Sequence, residues 1–495
     1  CIRDRPYLAR AGESAVQRCA YETAIQHFSS ALELMPEGDS SQSELQISIR
    51  LGMGRALKFV GEYAAAGLIL KEVLAYLVQP EVIEGQPSAV RLWVQALTEM
   101  ADVQAREGAL GEAIAYLQAG LDLLGESADQ DAPNLWRILI DRLALVRFRQ
   151  GQLDEAFDLA NSAVLSLPPG GAEDEMTLAS LFNTLGGVSW QKGNLSEAAT
   201  YVQRSLDIYQ QVGYLWGVAN AYSNLGILHY RLGNWHQTLE DWEQALDMRR
   251  TMGDVQSEAL TLSNLGQLLL SMGEHKQANE HYTHSLAMGQ RLGDHWTTAN
   301  SMIGLAHLAV LRSRFREART LAEETLELAE NIGSSENQIQ AGWLLALIRS
   351  ETDGVEKGLD LAWQALDLAR ESGLRDMEAD CLRVLGVLRA RTGEWLEAET
   401  HFHESIEVCL QQKDPYRRGL ALLEMGRLFQ QLARAGDLAG TGWQARALEI
   451  LHEASMLFQR LGAAYDLRAA DALLVQIERR AEAIAPAGLP LGEWR

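Results

Sequence analysis

Histidine side chains are the first candidates for chemistry in this chain. His281 and His284 lie three residues apart in a segment with helical periodicity, so they could share one face of a helix, and His275, His295 and His307 are near them in sequence. A zinc site needs three or four convergent ligands. The spacing favours the simpler interpretation, an exposed or partly buried histidine pair that binds nothing.

Motifs for nucleophilic, metal-assisted and phosphate chemistry are missing from the sequence. It contains no G-x-x-x-x-G-K-[ST] phosphate loop, no G-x-S-x-G nucleophile elbow and no H-E-x-x-H zinc motif. Adjacent carboxylates such as Glu323 and Glu324 fit solvated helix faces. The cysteines are sparse and show no C-x-x-C spacing: Cys1, Cys19, Cys381 and Cys409. We therefore expect no catalytic residue, no metal and no cofactor, and we predict that the chain is not an enzyme.

Composition and charge narrow the class of partner. The chain has 495 residues, a formal net charge of -24 and a pI of about 4.9, with no polybasic stretch. We therefore expect no direct contact with nucleic acid or with an anionic membrane. An apolar run of about 18 residues, which a membrane-spanning helix needs, is absent, and sparse cysteines fit a reducing cytoplasm. Because the sequence starts at Cys1 rather than at Met, we expect it to be part of a longer protein.

The positions of these residues depend on a repeat in which a small residue recurs every 40 residues. The series is Gly186, Gly226, Gly266, Ala306, Ala346, Gly386 and Gly426. A glycine turn closes the units at Gly213, Gly253, Gly293, Gly333 and Gly373, and Lys413 is the first exception. Apolar residues spaced three and four apart between the turns predict amphipathic helices, and glycine readily ends a helix. Each unit is thus predicted to be a helix hairpin, and hairpins stack.

The repeat extends with looser spacing toward both ends of the chain. We count eleven hairpins and a final helix near residues 464–481, which we expect to cap the exposed end of the stack. The spacing divides the chain into irregular hairpins over residues 1–173, a regular array over 174–415, and a last hairpin, capping helix and tail over 416–495. The predicted fold class is all-α.

These registers resemble the tetratricopeptide repeat in its lengthened, 40-residue form. One unit carries the matching residues Tyr222, Leu225 and Gly226 in its first helix and Thr238, Trp242 and Ala245 in its second. The recurring "NLG" and "GD" are similar to the arrays of Pins/LGN-type scaffolds and kinesin light chains. The resemblance implies an α-solenoid, a right-handed superhelix of stacked hairpins whose first helices line a concave groove.

A second resemblance concerns the two ends of the chain. The stretch "YLARAGESAVQRCAYETAIQHFSSALELMP" is similar to the segment that follows the ATPase module of bacterial signal-transducing (STAND) NTPases. That class includes LuxR-type regulators and ATPase-linked adenylate cyclases. "RLGAAYDLRAADALL" is similar to the end of their helical arrays. This resemblance implies a sensor or scaffold arm of a larger bacterial protein, with an upstream NTPase domain of the same polypeptide as one partner.

By the first resemblance, polar and aromatic residues at groove positions are candidates for partner binding. Asn and Gln amides offer a donor and an acceptor to any peptide backbone, and aromatic and Arg side chains supply anchors. The candidates are Asn183, Trp190, Gln191, Asn220, Ser223, Asn224, Ile227, Tyr230, Arg231, Asn264, Gln267, Ser271, Asn300, His307, Trp343, Arg383, Arg391 and Arg427. Trp216 and Trp296, at the entry to first helices, are candidates for a ligand surface or for packing against a neighbouring repeat.

Two features of this groove allow alternative interpretations. The arginines in its second half fit an acidic partner segment, or they pair with the excess carboxylates of the chain itself. Asn224 and Asn264, in the repeated tetrapeptide SNLG, lie at the groove margin, where we favour a bond between hairpins over ligand contact.

The leading functional prediction is a non-catalytic, cytoplasmic module that binds a protein or extended peptide. The alternative is a small-molecule-sensing regulatory domain with a pocket between hairpins. A third possibility is autoinhibitory packing against an upstream ATPase domain.

Overall fold

A computed structural model describes residues 4–17, 20–34, 44–79, 87–126, 132–166, 172–435 and 443–484. Over these ranges every regular element is a helix, and the twenty-three helices follow one another in consecutive pairs. Eleven pairs are followed by one last helix. The structure therefore confirms the all-α fold class, the hairpin unit and the final helix.

The helices before residue 172 vary more in length than those after it, from 13 to 20 residues. They are α1 (Arg5–Gln17), α2 (Tyr21–Glu33), α3 (Glu44–Phe59), α4 (Tyr63–Leu77), α5 (Pro87–Arg106), α6 (Leu110–Glu126), α7 (Ala132–Arg149) and α8 (Leu153–Leu165). The gaps between described residues fall in this part of the chain and at residues 436–442.

The helices from residue 172 onward are 17 to 21 residues long. They are α9 (Ala172–Gln191), α10 (Leu195–Val212), α11 (Leu215–Leu232), α12 (Trp235–Met252), α13 (Val255–Met272), α14 (His275–Leu292), α15 (His295–Leu311), α16 (Phe315–Asn331), α17 (Ser335–Thr352), α18 (Val355–Glu371), α19 (Arg375–Thr392), α20 (Trp395–Gln412), α21 (Pro415–Ala435), α22 (Trp443–Leu461) and α23 (Ala464–Ile484).

Small residues on first helices make room for a large side chain of the second helix. A Cβ atom added to Gly226 would come within 2.3 Å of the Trp242 indole nitrogen. The ring of Tyr282, from α14, lies between Gly266 of α13 and Gly304 of α15, and added Cβ atoms would come within 2.9 Å and 2.1 Å of it. The glycine of SNLG is therefore required by close packing, because any side chain would occupy the space of the aromatic ring.

The turn at Lys413 keeps its geometry without glycine. Lys413 has a φ of 53°, close to the 66° of Gly293 at the equivalent end of α14. Both residues are left-handed, and their N–H groups donate the equivalent backbone bonds that end the helix. The exception in the glycine series is thus an exception in residue type only.

The residues form two compact units, Cys1–Leu225 with Asp247–Asp254, and Gly226–Leu246 with Val255–Arg495. Within the first unit, hydrophobic clusters join each hairpin to the next along the chain. Phe59, at the end of α3, also meets Trp216, at the start of α11, with ring centroids 6.3 Å apart. Helices that are separated by three intervening hairpins therefore meet inside this unit. The three-part division of the sequence stays a prediction.

The second unit contains a comparable contact between distant hairpins. One hydrophobic cluster includes Trp235, Leu262 and Leu265 together with Leu422, Leu451, Phe458 and Leu473 of the last three helices. Leu461 lies so close to the turn at Gly233 that an added Cβ would come within 2.6 Å of it. The predicted capping helix α23 packs on α22 and also contacts α13. The last helices thus do more than cover the end of the stack.

Within the described ranges, the apolar stretches of the helices are too short or too charged to span a bilayer.

Candidate functional site

An amide pair joins neighbouring hairpins in the first unit. The Asn224 side chain, on α11, donates from Nδ2 to Oδ1 of Asn183, on α9, at 2.8 Å, and both residues are half-buried. This is the bond between hairpins that the SNLG motif led us to favour for its asparagine. Among the described residues, the Asn183 amide group and the Asn224 side-chain oxygen make no other hydrogen bond. One donor group and one acceptor are therefore left for a partner.

Other predicted groove residues lie on the same two helices. Asn220 accepts a hydrogen bond from Nη2 of Arg249 at 3.3 Å, and burial lowers the pKa of that arginine. Trp190, two helical turns beyond Asn183, keeps 39% of its surface exposed. Ser223 is nearly buried and has a partner. Asn183, Asn224 and Trp190 therefore offer polar and aromatic groups to solvent, whereas Ser223 does not.

A buried ionic network occupies first helices nearer the N-terminus. Lys58 of α3 donates to Glu99 at 2.6 Å and to Asp102 at 3.0 Å, both on α5, and only 4% of Lys58 is exposed. Arg55 donates to Glu99 at 2.7 Å. Burial by itself would raise the pKa of Glu99, but Lys58 and Arg55 hold it well below its usual range. Sequence reasoning missed this network.

Applying the repeat offsets to the earlier hairpins would have identified much of this ionic network. In the regular array, predicted groove residues stand three before, one after and four after the small residue. The same offsets from Ala144, Ala101 and Gly54 give Asp141, Asp102 and Lys58. The repeat register used to predict the groove residues therefore extends into the irregular part of the chain, where the same offsets carry charges in place of amides.

Asp141 is the least well compensated member of this group. Its Oδ2 accepts from Ser180 at 2.9 Å and lies 3.9 Å from Arg142 Nε. Its Oδ1 is buried and has no hydrogen-bond partner within the described ranges. Burial raises the pKa of Asp141 to about 6, Asp102 adds to the rise, and Arg142 and Ser180 oppose it.

In the second unit, a turn-closing network links α11 to α19 and α21. We give this name to Arg231, Asp376, Asp380, Asp414 and Arg417. Arg231 donates to Asp376, 145 residues away, at 2.7 Å. Arg417 donates to Asp380 and to Asp414, each at 2.7 Å. Burial would raise the pKa of Asp376, but Arg417 and Arg231 hold it below its usual value.

The arginines expected to bind an acidic segment are paired with carboxylates of the chain itself. Arg383 pairs with Asp380 at 3.3 Å, Arg391 with Glu351 at 2.6 Å, and Arg427 with Glu424 at 2.6 Å. Arg231, in the first half of the predicted groove, is paired as well. The second of our two alternatives for these arginines therefore describes the structure.

Other predicted groove residues of the second unit fall into packed and open groups. Tyr230 bonds to Ser271 at 3.3 Å and stacks on Trp235 and Trp242, and Ile227 packs on the same cluster. Trp343 is 7% exposed, with His307 at its edge and the Arg383 guanidinium over its ring. By contrast, Asn264, Gln267 and Asn300 of this unit are half-buried or exposed, and Gln191 of the first unit is exposed. Whether any of them binds a partner stays a prediction.

The histidines and the two remaining tryptophans have separate environments. In the described part of the chain, no three His, Cys, Asp or Glu side chains converge as metal ligands would. Burial lowers the pKa of His307 to about 4, and Arg383 adds to this effect, so its ring is neutral at pH 7. Trp216 packs on Phe59 and Tyr214. Trp296 is 41% exposed.

The repeat register is also recognised by comparison with known families. A tetratricopeptide-repeat model matches residues 177–251, 217–291 and 257–331. A search among curated proteins gives no match.

Solved structures supply the other comparisons. A Rap protein complexed with Competence and Sporulation Factor is 13% identical, with a TM-score of 0.55 over 74% of this chain and 99% of that one. The apo quorum sensor NprR from B. thuringiensis is 13% identical, with a TM-score of 0.52 over 72% and 97% of the two chains. A STAND protein with a tetratricopeptide-repeat sensor from Pyrococcus horikoshii is 14% identical, with a TM-score of 0.44 over 77% and 64%.

At these identities the first two likenesses show a shared fold, and the third is too low to bear on function. The repeat model, the hairpins and the packed glycines agree with one another. Residues 177–331 of this chain are tetratricopeptide repeats, set within an all-α solenoid of further helix hairpins.

Proposed function

We propose that this protein is a non-catalytic binding module that holds a protein segment or an extended peptide against its first helices. It would serve as the sensor or scaffold arm of a larger cytoplasmic signalling protein of bacterial type, in which an upstream NTPase domain is one partner. The regular array of residues 174–415 would carry the binding face.

The observation that carries this proposal is the amide pair of Asn183 and Asn224. Its unused donor group and acceptor lie one hairpin apart on a half-buried face. An extended peptide presents alternating N–H and C=O groups, so it can bond to both amides whatever its side chains are. Trp190, on the same face of α9 as Asn183, is an exposed anchor of the type that dominates interface energies.

The fold comparison supports a signalling partner without naming one. The Rap protein was solved in complex with Competence and Sporulation Factor, and NprR is a quorum sensor. Both share the fold of this chain. The ionic pairs of the second unit also support the choice of Asn183 and Asn224, since a ligand that binds these two amides need not displace an existing ion pair.

Selection from a peptide library followed by affinity measurement tests the proposal. Peptides selected from a phage-displayed library against the whole chain would be titrated into wild type and into the double variant Asn183→Ala/Asn224→Ala. Loss of two hydrogen bonds at about 0.5–1.5 kcal/mol each weakens binding by about 5-fold to 150-fold. The matched control is Gln203→Ala/Gln211→Ala, which removes two exposed amides from the second helix α10.

Circular dichroism must show equal helicity in both variants. Trp190→Ala, at an exposed position, is a second variant for the affinity measurement. This substitution does not disturb the bond between hairpins. Failure to select any saturable ligand, or equal affinities in the amide variant and the control, would refute groove binding.

Small-molecule sensing is the second candidate function. A cleft of about 620 Å³ between hairpins, formed by α14, α15 and α16, favours it. A thermal-shift screen with metabolites tests it, because a ligand that binds only the folded state raises the melting temperature.

A further inference from the structure

The cleft in the second unit combines an apolar floor with a cationic rim. Leucines and an alanine form the floor, short polar side chains form the walls, and charged residues stand at the mouth. In that order the lining residues are Leu305, Leu308, Ala309 and Leu321, then Asn279, Thr283 and Thr320, then Arg312, Arg314 and Glu317. Its volume of about 620 Å³ is within the range of small-molecule sites.

The cleft exists because three side chains are short where the next repeat has long ones. Forty residues further along the chain, the equivalent positions carry Arg319, Glu323 and Arg349. Those side chains cross-link, with Glu323 accepting from Arg319 at 2.9 Å and from Arg349 at 3.2 Å. The cleft has Asn279, Thr283 and Ala309 at these positions. The space that ion pairs fill in one repeat is thus open in its neighbour.

Arg312 stands at the mouth with weak contacts. Its guanidinium reaches the side-chain oxygen of Asn279 at 3.5 Å and the backbone oxygen of His275 at 3.4 Å, both at the limit of a hydrogen bond. Among the described residues, no carboxylate lies within 4.0 Å of it. Arg314, on the other side of the turn, forms an ion pair with Glu317 at 3.5 Å.

We propose that this cleft binds a small organic monoanion with an apolar tail, such as a medium-chain carboxylate. The anionic head would pair with Arg312 through charge-assisted hydrogen bonds, and the tail would cover Leu305 and Leu321, which are only partly buried. Two arginines and Glu317 give the mouth of the cleft one net positive charge. This charge matches a ligand with one negative charge better than a ligand with two. This inference gives the second candidate function a ligand class and does not depend on the amide groove.

Calorimetric titration of the whole chain with decanoate and decanamide tests the proposal. Decanoate should bind saturably with one site per chain, and uncharged decanamide at least about tenfold more weakly, as loss of a charge-assisted bond predicts. Arg312→Gln should weaken decanoate binding by a similar factor and leave decanamide binding unchanged. The matched control Arg291→Gln removes an exposed arginine of α14 that does not line the cleft.

Further variants separate the cleft from the groove and from loss of folding. Thr283→Leu, at an exposed position of the cleft wall, should weaken both ligands by filling space while circular dichroism stays unchanged. Asn183→Ala/Asn224→Ala should keep full decanoate affinity. The proposal is overturned if decanoate shows no saturable binding, if Arg312→Gln binds it as wild type does, or if the amide variant loses it.

Discussion

The buried carboxyl of Asp141 should make the stability of this protein depend on pH, and Asp141→Asn should remove that dependence. The folded pKa is about 6 against an ordinary value of 3.8. A difference of about 2 units at about 1.4 kcal/mol each corresponds to about 3 kcal/mol. Because the side chain is only 5% exposed, solvent screening reduces this little.

The sign follows from which state binds the proton more tightly. The folded pKa is raised, mainly by burial and then by the negative charge of Asp102, whereas Arg142 and Ser180 act in the opposite direction. The favourable contribution to stability is therefore complete below pH 3.8 and is lost as pH rises through about 6. Ionised Asp141 is a cost at neutral pH, and the amide that Asp141→Asn introduces would not ionise.

Thermal unfolding followed by circular dichroism at several pH values measures the effect. Relative to wild type, Asp141→Asn should gain about 3 kcal/mol at pH 8 and about 1 kcal/mol at pH 4.5, a difference of a few degrees in melting temperature. Only the change with pH tests the prediction, because the new amide also changes the free energy of unfolding by an amount that does not depend on pH. Asp158→Asn, at an exposed position of α8, is the matched control for net charge. Melting temperatures of Asp141→Asn and wild type that run parallel from pH 4.5 to 8 would refute the reasoning.

Three further predictions follow from packing and charge. Arg417→Gln leaves carboxylates of the turn-closing network uncompensated, so urea unfolding should show a loss of about 3–5 kcal/mol, and no measurable loss would contradict the network. Gly304→Ala forces a methyl group into an aromatic ring and should cost about 1–3 kcal/mol, whereas Gly111→Ala, with open space around it, should be neutral or slightly stabilising. Burial raises the pKa of the Cys381 and Cys409 thiols, that of Cys409 to about 12, so peptide mapping after iodoacetamide at pH 8 should find neither alkylated unless the protein is unfolded.

Local structure was predictable because every hairpin of the array has to satisfy the same packing requirement. Gly226 and Gly266 recur at 40 residues since each lies against the aromatic ring of a second helix. The helix period and the turn glycines give the hairpins, and identical spacing gives their order along the stack. Nothing in this inference needs contacts between distant residues.

Contacts across several hairpins were not predictable in the same way. Arg231 and Asp376 are 145 residues apart, and their meeting depends on the small rotation that each hairpin adds to the last. Those rotations accumulate from side-chain packing at every interface, which a register of small residues does not specify. The packing of α21–α23 on α12 and α13 was missed for the same reason.

The helix that carries each candidate residue was predictable, but the state of its side chain was not. The repeat register and its offsets placed Asn183 in the groove, and the SNLG motif placed Asn224 at its margin. The structure has the two residues on first helices of neighbouring hairpins. The same offsets could not show that Arg383 already pairs with Asp380, because the pairing depends on side-chain geometry. Charge excess in the composition was the signal that favoured such pairing, since carboxylates outnumber basic groups by 67 to 43.

In the proposed groove, the different states of the side chains determine where a peptide would gain binding energy. A partner carboxylate that binds Arg231 must replace Asp376 at 2.7 Å, and exchange of one ion pair for another gains little. It also leaves Asp376 with the more distant Arg417 alone, at 3.7 Å. A peptide that bonds to Asn183 and Asn224 uses a donor group and an acceptor that are already desolvated in part and have no other partner in the described chain. Affinity should therefore respond to the amides before the arginines. If Arg231→Gln weakened a selected peptide more than Asn183→Ala/Asn224→Ala did, binding would require opening of the turn-closing network, and hydrogen exchange of α11 and α19 would rise on peptide addition.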